Sequence, residues 1–253
     1  MTRGRTGSTA VIDELNKSQG LCAAQELFLI YDFDNIPDVS EITKVYDFLL
    51  PFVLWKRDDW LWKWIPHFLY SDKQRANRYL AKAESLSRQQ GMASFGLKVL
   101  SHNLGEWPFL SALLKRRGYR AIYLTRNIAR QVLSGMVANQ SGIWNTTETI
   151  QDSGGYYIDP DEFQRNVEGE ISAIQKDYDR LTAEGFSFVV VTYEEFCTDR
   201  QSFYEKIFHF LEVSAEVPPR SDYSILIKDL KDTIDNYEAV AERAATLGVL
   251  LHS

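Results

Sequence analysis

Short apolar runs alternate along the chain with longer segments in which apolar residues recur at helical spacing. Three of these runs are rich in β-branched or aromatic residues and predict buried parallel strands, at 95–100, 120–124 and 186–191. Helical spacing predicts helices over 107–116, 128–139, 161–181 and 200–211. Alternation of strands and helices predicts an α/β fold, in which a parallel β-sheet is flanked by crossover helices.

The segment 41–90 has a helical pattern throughout and forms an insertion ahead of the strand at 95–100. No repeat, low-complexity tract or Pro/Ser linker divides the chain, so we expect a single domain over 1–253. At its beginning, residues 3–9 (RGRTGST) form a loop that leads into a helix predicted over 10–16. A loop of this kind normally follows a strand, and we therefore expect that the first strand is truncated.

Composition limits the partners of such a domain. The 253 residues are 45% hydrophobic and 25% charged, which is typical of a globular protein with a sizeable core. A net charge of -7 argues against nucleic acid as a partner, because nucleic-acid binding needs a broad basic surface. A small anionic ligand is compatible with this charge, since a few arginines in a cleft produce a local positive field.

Two cysteines, Cys22 and Cys197, are too few for a disulfide framework or a zinc site. We predict that both are reduced thiols in or near the core. No apolar run reaches the length of a membrane span, and the first residues lack the apolar region of a signal peptide. These features predict a soluble, cytoplasmic protein without a transmembrane segment.

A loop rich in glycine and hydroxyl groups precedes the first helix and has the character of an anion site. Gly7 permits close backbone approach, Ser8 and Thr9 add hydroxyl donors, and Arg5 adds a forked, charged donor set. The backbone N–H groups from Thr6 onward would face the anion together with the positive end of the helix dipole. The loop is not a Walker A motif, because GxxxxGK[ST] is absent. A helix start capped by Ser or Thr explains the same residues without any ligand.

A second group of anion-binding residues follows the strand at 120–124. Arg126 stands at the carboxyl end of that strand, where open α/β sheets bind ligands. Arg130 and Ser134 are four residues apart on the next helix and share a face. Together these side chains could hold a phosphate dianion, although ordinary solvated arginines on a surface helix account for each of them singly.

The two groups occur in an order that resembles the sulfotransferases that use PAPS (3'-phosphoadenosine-5'-phosphosulfate), in their bacterial and carbohydrate-type branch. The first loop is similar to that family's 5'-phosphosulfate loop, [KR]-[ST]-G-[ST]-[ST]. Arg126 and Ser134, within YLTRNIARQVLSGMVANQSGIW, are similar to its 3'-phosphate element. Three later segments also resemble family motifs, at 190–196 (VVTYEEF), 207–213 (IFHFLEV) and 233–240 (TIDNYEAV). The resemblance covers 2–28 and 95–240 and leaves 29–94 unmatched.

The resemblance implies a P-loop-like sulfotransferase fold and transfer of a sulfuryl group from PAPS to an acceptor hydroxyl, with PAP as product and no metal. It places Arg5 on the phosphosulfate and the backbone of residues 6–9 around the 5'-phosphate. Arg126 and Ser134, with Arg130 on the same helix, would hold the 3'-phosphate.

Two residues are candidates for the base that removes the acceptor proton. Glu26 lies at the distance from the loop at which related bacterial enzymes carry a proposed base. His102, with Lys98 four residues before it, is similar to a Lys-x-x-x-His pattern in the family's central strand. A histidine has its ordinary pKa near working pH, whereas a glutamate base needs burial to raise its pKa. Lys98 would contact the transferring sulfuryl group, or would be a strand-end lysine whose amine is in water.

The unmatched segment 29–94 leaves open both the identity of the acceptor and the alternatives to sulfuryl transfer. A carbohydrate, a glycolipid or a small alcohol all fit as acceptor. Trp55, Trp60, Trp62 and Trp64 would contact an acceptor, pack into the core or form a homodimer interface. Asp32-Phe33-Asp34 matches the DxD tripeptide of metal-dependent glycosyltransferases. The alternatives are therefore an atypical P-loop kinase or NTPase, a DxD-type glycosyltransferase, and a non-enzymatic relative that binds a partner through its tryptophans.

Overall fold

The computed structural model describes residues 1–29, 50–58, 71–143, 155–223 and 229–251. Within these ranges the protein has four short strands and eleven helices. The strands are β1 Leu21–Ala24, β2 Ser94–Leu97, β3 Ala121–Thr125 and β4 Phe188–Thr192. The helices are α1 Ser8–Asn16, α2 Phe52–Asp58, α3 Asp72–Gln89, α4 Asn103–Glu106, α5 Leu110–Arg116, α6 Ile128–Ser141, α7 Pro160–Ala183, α8 Tyr193–Thr198, α9 Arg200–Leu211, α10 Leu230–Thr233 and α11 Tyr237–Thr246.

The strands form two parallel pairs. Strand β1 pairs with β2, from Leu21 opposite Ser94 to Ala24 opposite Leu97. Strand β3 pairs with β4, with Ala121 opposite Phe188 at one end and Thr125 opposite Thr192 at the other. In the described part of the chain, Thr2 joins the pairs, since it bridges in the parallel sense to Leu100 beyond β2 and to Leu124 in β3. The predicted α/β class with parallel strands is confirmed, whereas the predicted continuous sheet is reduced to two pairs linked at Thr2.

Side-chain caps define where several helices begin. Helix α3 starts with a capping box in which the Ser71 hydroxyl and the Gln74 side chain bind each other's backbone N–H. Thr192 and Glu195 form the same reciprocal pair at the start of α8. Helix α7 begins with Asp159 as N-cap and a proline at its first position. These caps satisfy backbone donors that a helix start leaves unpaired, so the sequence fixes each boundary locally.

Four apolar clusters hold the described elements together, the smallest of them formed by Ala121, Tyr123 and Leu181. The first lies between the β1–β2 pair and helices α2, α3 and α5, and it is centred on Phe28, Phe52 and Tyr79. The second joins α6, α7 and α11. The third packs α1 and α9 against the β3–β4 pair and includes Val191 and Tyr204. Burial of these side chains supplies the main stabilising term, about 1.5–3 kcal/mol for each large apolar residue.

The strand predictions at 95–100, 120–124 and 186–191 each coincide with an observed strand to within three residues at either end. The helix predicted over 107–116 begins only at Leu110, because Pro108 disfavours the helical region for Trp107, whose φ is -120° and ψ 75°. The prediction missed β1 altogether. Its sequence, LCAA, contains no β-branched or aromatic residue, and its extended form is stabilised by pairing with β2.

The prediction that the segment 41–90 is helical throughout is wrong at several of its described residues. Leu50 and Pro51 are not helical, and Ser71 is an extended N-cap with φ -68° and ψ 155°. Proline disfavours helix at the residue before it, and an N-cap separates α3 from what precedes it. Residues 41–49 and 59–70 lie outside the described ranges.

Both cysteines were predicted to lie in or near the core; Cys22 in β1 is half-buried, whereas Cys197 on α8 is exposed. Trp55 is buried at 6% exposure and packs against Tyr79 with a ring-centroid distance of 5.3 Å. Core packing is therefore the role that the structure gives to Trp55. Across the described ranges, no helix combines the length and the apolar character needed to cross a membrane.

Candidate functional site

The loop between Thr2 and α1 adopts a specific, strained shape. Arg5 and Gly7 both have left-handed backbone angles, with φ 63° and 74°. Thr6 is buried, and its hydroxyl lies 2.5 Å from that of Thr2 and 3.2 Å from the carbonyl oxygen of Arg3, to which it donates. The Thr6 hydroxyl is therefore engaged by Thr2 and Arg3 at the inner side of the loop.

Gly7 is the N-cap residue of α1 and therefore stands where an anion would meet the helix. It has no side chain that could cap the helix, and the first turn contains no acidic residue. The N–H groups of Ser8 and Thr9, in that first turn, cannot be satisfied within the helix. An anion at this end would complement both these donors and the helix dipole.

Tyr193, at the end of β4, closes over this loop. A Cβ placed on Gly7 would overlap the Tyr193 ring, so glycine is required there for steric as well as conformational reasons. The same ring lies 4.8 Å from the guanidinium carbon of Arg126, which is a cation–π distance. Burial raises the pKa of the Tyr193 hydroxyl to about 12.

The two predicted anion-binding groups meet in space. The Nη2 and Nε atoms of Arg5 donate to the Ser134 hydroxyl at 3.1 and 3.3 Å, although 129 positions separate the residues. Arg126 Nη1 donates to the carbonyl oxygen of Arg5 at 3.0 Å. Ser134 is buried on α6, which begins just after Arg126. Arg5, Arg126 and Ser134 therefore form one contiguous group, which we call the arginine cluster.

The electrostatics of the arginine cluster favour an anion. Burial, followed by the charge of Arg126, lowers the pKa of Arg5 below its ordinary value. Burial also lowers the pKa of Arg126, despite the partly offsetting field of Tyr193 and Glu194. The Nε atom of Arg126 is buried and has no hydrogen-bond partner among the described residues. A bound anion would neutralise this repulsion and could accept from that nitrogen.

Arg130 lies one turn along α6 from Arg126 and is half-buried. Its backbone N–H donates to the Asn127 side chain at the helix start, at 3.0 Å. Its positive charge is among the influences that lower the pKa of Arg126, after burial. Arg130 therefore contributes positive charge beside the arginine cluster, and no described contact joins its guanidinium to Arg5 or Ser134.

A second contiguous group consists of Glu26, Lys98 and Thr9. We call the ion pair within it the Glu26–Lys98 pair. Lys98 Nζ lies 2.6 Å from Glu26 Oε1 and donates to the Thr9 hydroxyl at 3.3 Å. Lys98 follows β2 directly, and Glu26 stands two residues beyond β1. Since β1 and β2 are parallel, their carboxyl ends meet at one edge, which explains the contact. Thr9 on α1 brings this group next to the loop.

His102, the other predicted base, is placed differently. It is exposed at the start of α4, in the turn that follows Ser101. Within the described ranges, no hydrogen bond or ion pair connects its ring with Glu26, Lys98 or the arginine cluster. The structure therefore brings Glu26 and Lys98 to the loop, and it does not bring His102 into the same group of contacts.

Sequence reasoning missed two residues of this site, Tyr193 and Glu194. The Glu194 carboxylate accepts from the backbone N–H of Asn127 at 3.0 Å and so ties α8 to the start of α6. Both residues lie within the segment VVTYEEF, whose strand-to-helix change was the available signal. Asp32 and Asp34 of the DxD tripeptide, together with Trp60, Trp62 and Trp64, lie outside the described residues.

No protein-family model matches the chain, and no curated protein matches it. The functional argument therefore depends on the chemistry of the arginine cluster, the loop and the Glu26–Lys98 pair.

Proposed function

We propose that the protein is a sulfotransferase that transfers a sulfuryl group from PAPS to a hydroxyl group of an acceptor. The observation that carries this proposal is the contact between Arg5 and Ser134 at 3.1 Å, reinforced by Arg126. These residues come from the two segments that resemble the 5'-phosphosulfate loop and the 3'-phosphate element. A ligand with anionic groups at both its 3' and 5' positions would use both.

The residues present fit such a donor. The loop offers first-turn N–H groups at α1, and Gly7, which carries no side chain, leaves room for the Tyr193 ring beside them. Arg126 offers a buried Nε donor without a described partner. Arg126 donates to the backbone carbonyl of Arg5, and its positive charge lowers the pKa of the Arg5 side chain, so a bound phosphate or sulfate would offset the repulsion between the two arginines.

Each residue has a role in the proposed reaction. PAPS supplies an already activated sulfuryl group, held in a mixed anhydride with the 5'-phosphate. Arg5 and the backbone of the loop would bind and neutralise the phosphosulfate, while Arg126 and Ser134 would hold the 3'-phosphate that distinguishes the donor from ATP. Positioning and charge stabilisation of this kind dominate group transfer between oxygens.

Glu26 would accept the proton of the acceptor hydroxyl. Its Oε1 atom is held by Lys98, which fixes the carboxylate, while a carboxylate accepts hydrogen bonds through both oxygens. Lys98 also contacts Thr9, so it links the base to the donor loop. Proton transfer to Oε2 would then occur beside the loop, as general-base catalysis requires. A carbohydrate, a glycolipid or a small alcohol would each supply the hydroxyl.

The first experiment is a calorimetric titration with PAP, without divalent metal, and with ADP and AMP for comparison. We expect PAP to bind more tightly than ADP, because only PAP carries the 3'-phosphate. Arg126→Ala should weaken PAP binding about 10- to 150-fold, the equivalent of one charge-assisted hydrogen bond of about 1.5–3 kcal/mol. Arg165→Ala, at an exposed position on α7, is the matched control and should leave affinity unchanged.

The rival functions give different results in the same titration. Tight ADP binding that requires Mg²⁺ would favour a kinase or NTPase. Binding of a nucleotide sugar that requires Mn²⁺ would favour a glycosyltransferase. A folded protein that binds PAP no better than AMP would contradict the proposal.

A further inference from the structure

Glu170, on α7, contacts both segments that form the arginine cluster. Its Oε1 and Oε2 atoms accept from Nε and Nη2 of Arg3, at 2.9 and 3.2 Å. Oε1 also accepts from Nε2 of Gln131 at 2.8 Å. Arg3 lies in the loop, two residues before Arg5, and Gln131 lies on α6. One carboxylate therefore joins the loop to α6, and we call Glu170, Arg3 and Gln131 together the Glu170 clamp.

The contact on the α6 side lies close to Ser134. Gln131 and Ser134 are three positions apart on the helix, so they share a face, and both are buried at 5% exposure. The Oε1 atom of Gln131 is buried and has no hydrogen-bond partner in the described part of the chain. The bond to Glu170 is therefore the described contact that holds this amide, and its loss would leave a second buried polar group unsatisfied.

The contact on the loop side is a bidentate ion pair. Arg3 binds both carboxylate oxygens, which is the strong form of an arginine–carboxylate contact. The hydrogen bond to Glu170 is the largest influence on the pKa of Arg3 and raises it, against the opposing effect of burial. The side chains of Arg3 and Glu170 are only 26% and 15% exposed, so salt and water screen the pair less than at an open surface. The charge of Arg3 is therefore offset by Glu170, whereas Arg5 lies against Ser134 and in the field of Arg126.

Helix α7 holds the loop at a second point, through Asp177. Seven residues separate Glu170 from Asp177, so both carboxylates lie on one face of the helix. Asp177 is buried and accepts from the Tyr123 hydroxyl at 2.9 Å and from the Ser101 hydroxyl at 2.5 Å. Ser101 N in turn donates to Thr2 O at 2.9 Å. The start of the loop is therefore tied to the same helix that holds Arg3.

We propose that Glu170 is a positioning residue, which fixes the distance between the loop and α6 and so favours a ligand with two anionic groups over ligands with one. The inference rests on the proposed donor site and concerns its geometry. Among the described contacts, Glu170 binds Arg3 and Gln131 and acts through them on Arg5 and Ser134. A ligand that spans both segments gains from a preset distance, because less binding free energy is spent on ordering them. A ligand held by one segment gains nothing from it.

A purely electrostatic role for Glu170 makes the opposite prediction for its removal. Loss of the negative charge would strengthen the binding of an anion, whereas loss of Arg3 would weaken it, because the two charges have opposite signs. A clamp is broken by removal of either partner, so both changes weaken the binding of a spanning ligand. The direction of the effect at Glu170 therefore separates positioning from charge.

The test compares Glu170→Ala, Arg3→Ala and the double variant with the unaltered full chain. Calorimetry measures the affinities for adenosine 3',5'-bisphosphate (PAP), adenosine 5'-monophosphate (AMP) and adenosine 3'-monophosphate. We expect each single change to weaken PAP binding about 10-fold, and the double change no more than about 20-fold, because both remove the same contact. Binding of either monophosphate should change less than about two-fold. Glu168→Ala, at an exposed position on α7, is the matched control and should leave all three affinities unchanged.

Hydrogen exchange tests the Glu170 clamp without any ligand. It is measured by mass spectrometry over 2–11, which covers the loop and the first turn of α1, and over β4. We expect exchange over 2–11 to be at least about 10-fold faster in both single variants, because the loop opens locally more often. Exchange over β4 should stay unchanged, which shows that the variants are folded. Glu170→Gln, which keeps the length of the side chain and removes its charge, takes the place of Glu170→Ala if β4 loses its protection.

The possible failures are distinguishable. Unaltered exchange over 2–11 in both variants would overturn the Glu170 clamp, whether or not the protein binds PAP. Opposite changes in PAP affinity in the two variants, or equal losses for PAP and both monophosphates, would overturn the positioning role. An unaltered protein that binds PAP no better than AMP would overturn the proposed function and the ligand selectivity with it, while faster exchange over 2–11 would still support the clamp.

Discussion

Replacement of Gly7 by alanine is the most direct test of the loop geometry. Gly7 has φ 74°, and a residue with a Cβ loses roughly 1–2 kcal/mol in this left-handed conformation. The added Cβ would also overlap the Tyr193 ring. That ring is half-buried between Arg126 and Phe196, so displacing it forfeits the cation–π contact, worth about 0.5–2 kcal/mol. Together the two effects amount to about 1.5–4 kcal/mol.

We expect Gly7→Ala to weaken PAP binding by about 10- to 700-fold, if the whole cost falls on the binding conformation of the loop. Gly4→Ala is the matched control in the same loop. Gly4 has no positive φ, and a Cβ there meets no atom within 4 Å, so its affinity and unfolding temperature should stay near those of the unaltered protein. Isothermal calorimetry with PAP gives the affinities, and thermal unfolding shows whether each variant is folded.

A double-mutant cycle separates the steric effect from the conformational one. With Tyr193→Ala as background, Gly7→Ala should cost only the backbone part, about 1–2 kcal/mol, because the ring is gone. The reasoning is refuted if Gly7→Ala and Gly4→Ala give the same PAP affinity and the same unfolding temperature.

Three further predictions concern the base, a buried ion pair and the Met1 amine. Glu26→Gln should lower the rate of sulfuryl transfer from PAPS at least about 100-fold, measured with a panel of sugars and alcohols as acceptors. The affinity for PAP should change less than about two-fold. An unchanged transfer rate would exclude Glu26 as the base. Glu14→Gln should lower the free energy of unfolding in urea by about 3–5 kcal/mol, because it leaves the charge of Arg200 without its buried partner. Glu238→Gln, which removes an exposed ion pair, should cost less than about 1 kcal/mol. Equal losses in the two variants would contradict the assignment of the Glu14–Arg200 pair as buried. Burial lowers the pKa of the Met1 amine to about 5 from its ordinary 8.0, so the folded state binds fewer protons between these values and stability should fall by about 3 kcal/mol as pH drops from 8 to 5. Urea midpoints at intervals of one pH unit, with amine-acetylated protein as the reference, measure this loss, and identical profiles would disprove it.

Much of the fold could be predicted because its signals are local. The strand at 188–192 is a run of valines, and α9 begins at Arg200 and ends at Leu211, as the apolar spacing predicts. Strand β1 has no such signal, because LCAA becomes extended through its pairing with β2. Leu50 and Pro51 are not helical, because proline disfavours the helical region for the residue before it, and the apolar periodicity of the segment carries no signal of that effect.

The residues of the site also divide into those that local signals in the sequence predict and those whose place depends on tertiary contacts. Arg5, Arg126 and Ser134 could be proposed from an ordered set of motifs, and the structure brings them into contact. Tyr193 could not be placed by periodicity, since its contact with Gly7 spans most of the chain and depends on where β4 ends. The choice between Glu26 and His102 also depended on tertiary contacts, because only the parallel pairing of β1 and β2 brings Glu26 to Lys98.

Thr2 connects the loop physically to both strand pairs. Its backbone pairs with both of them, and its hydroxyl reaches Leu124 O and Thr6. The Arg126 guanidinium holds the loop at a second point, since it donates to the carbonyl oxygen of Arg5. Because these contacts hold the loop that would bind the phosphosulfate, less of the binding free energy of an anion is spent on ordering it.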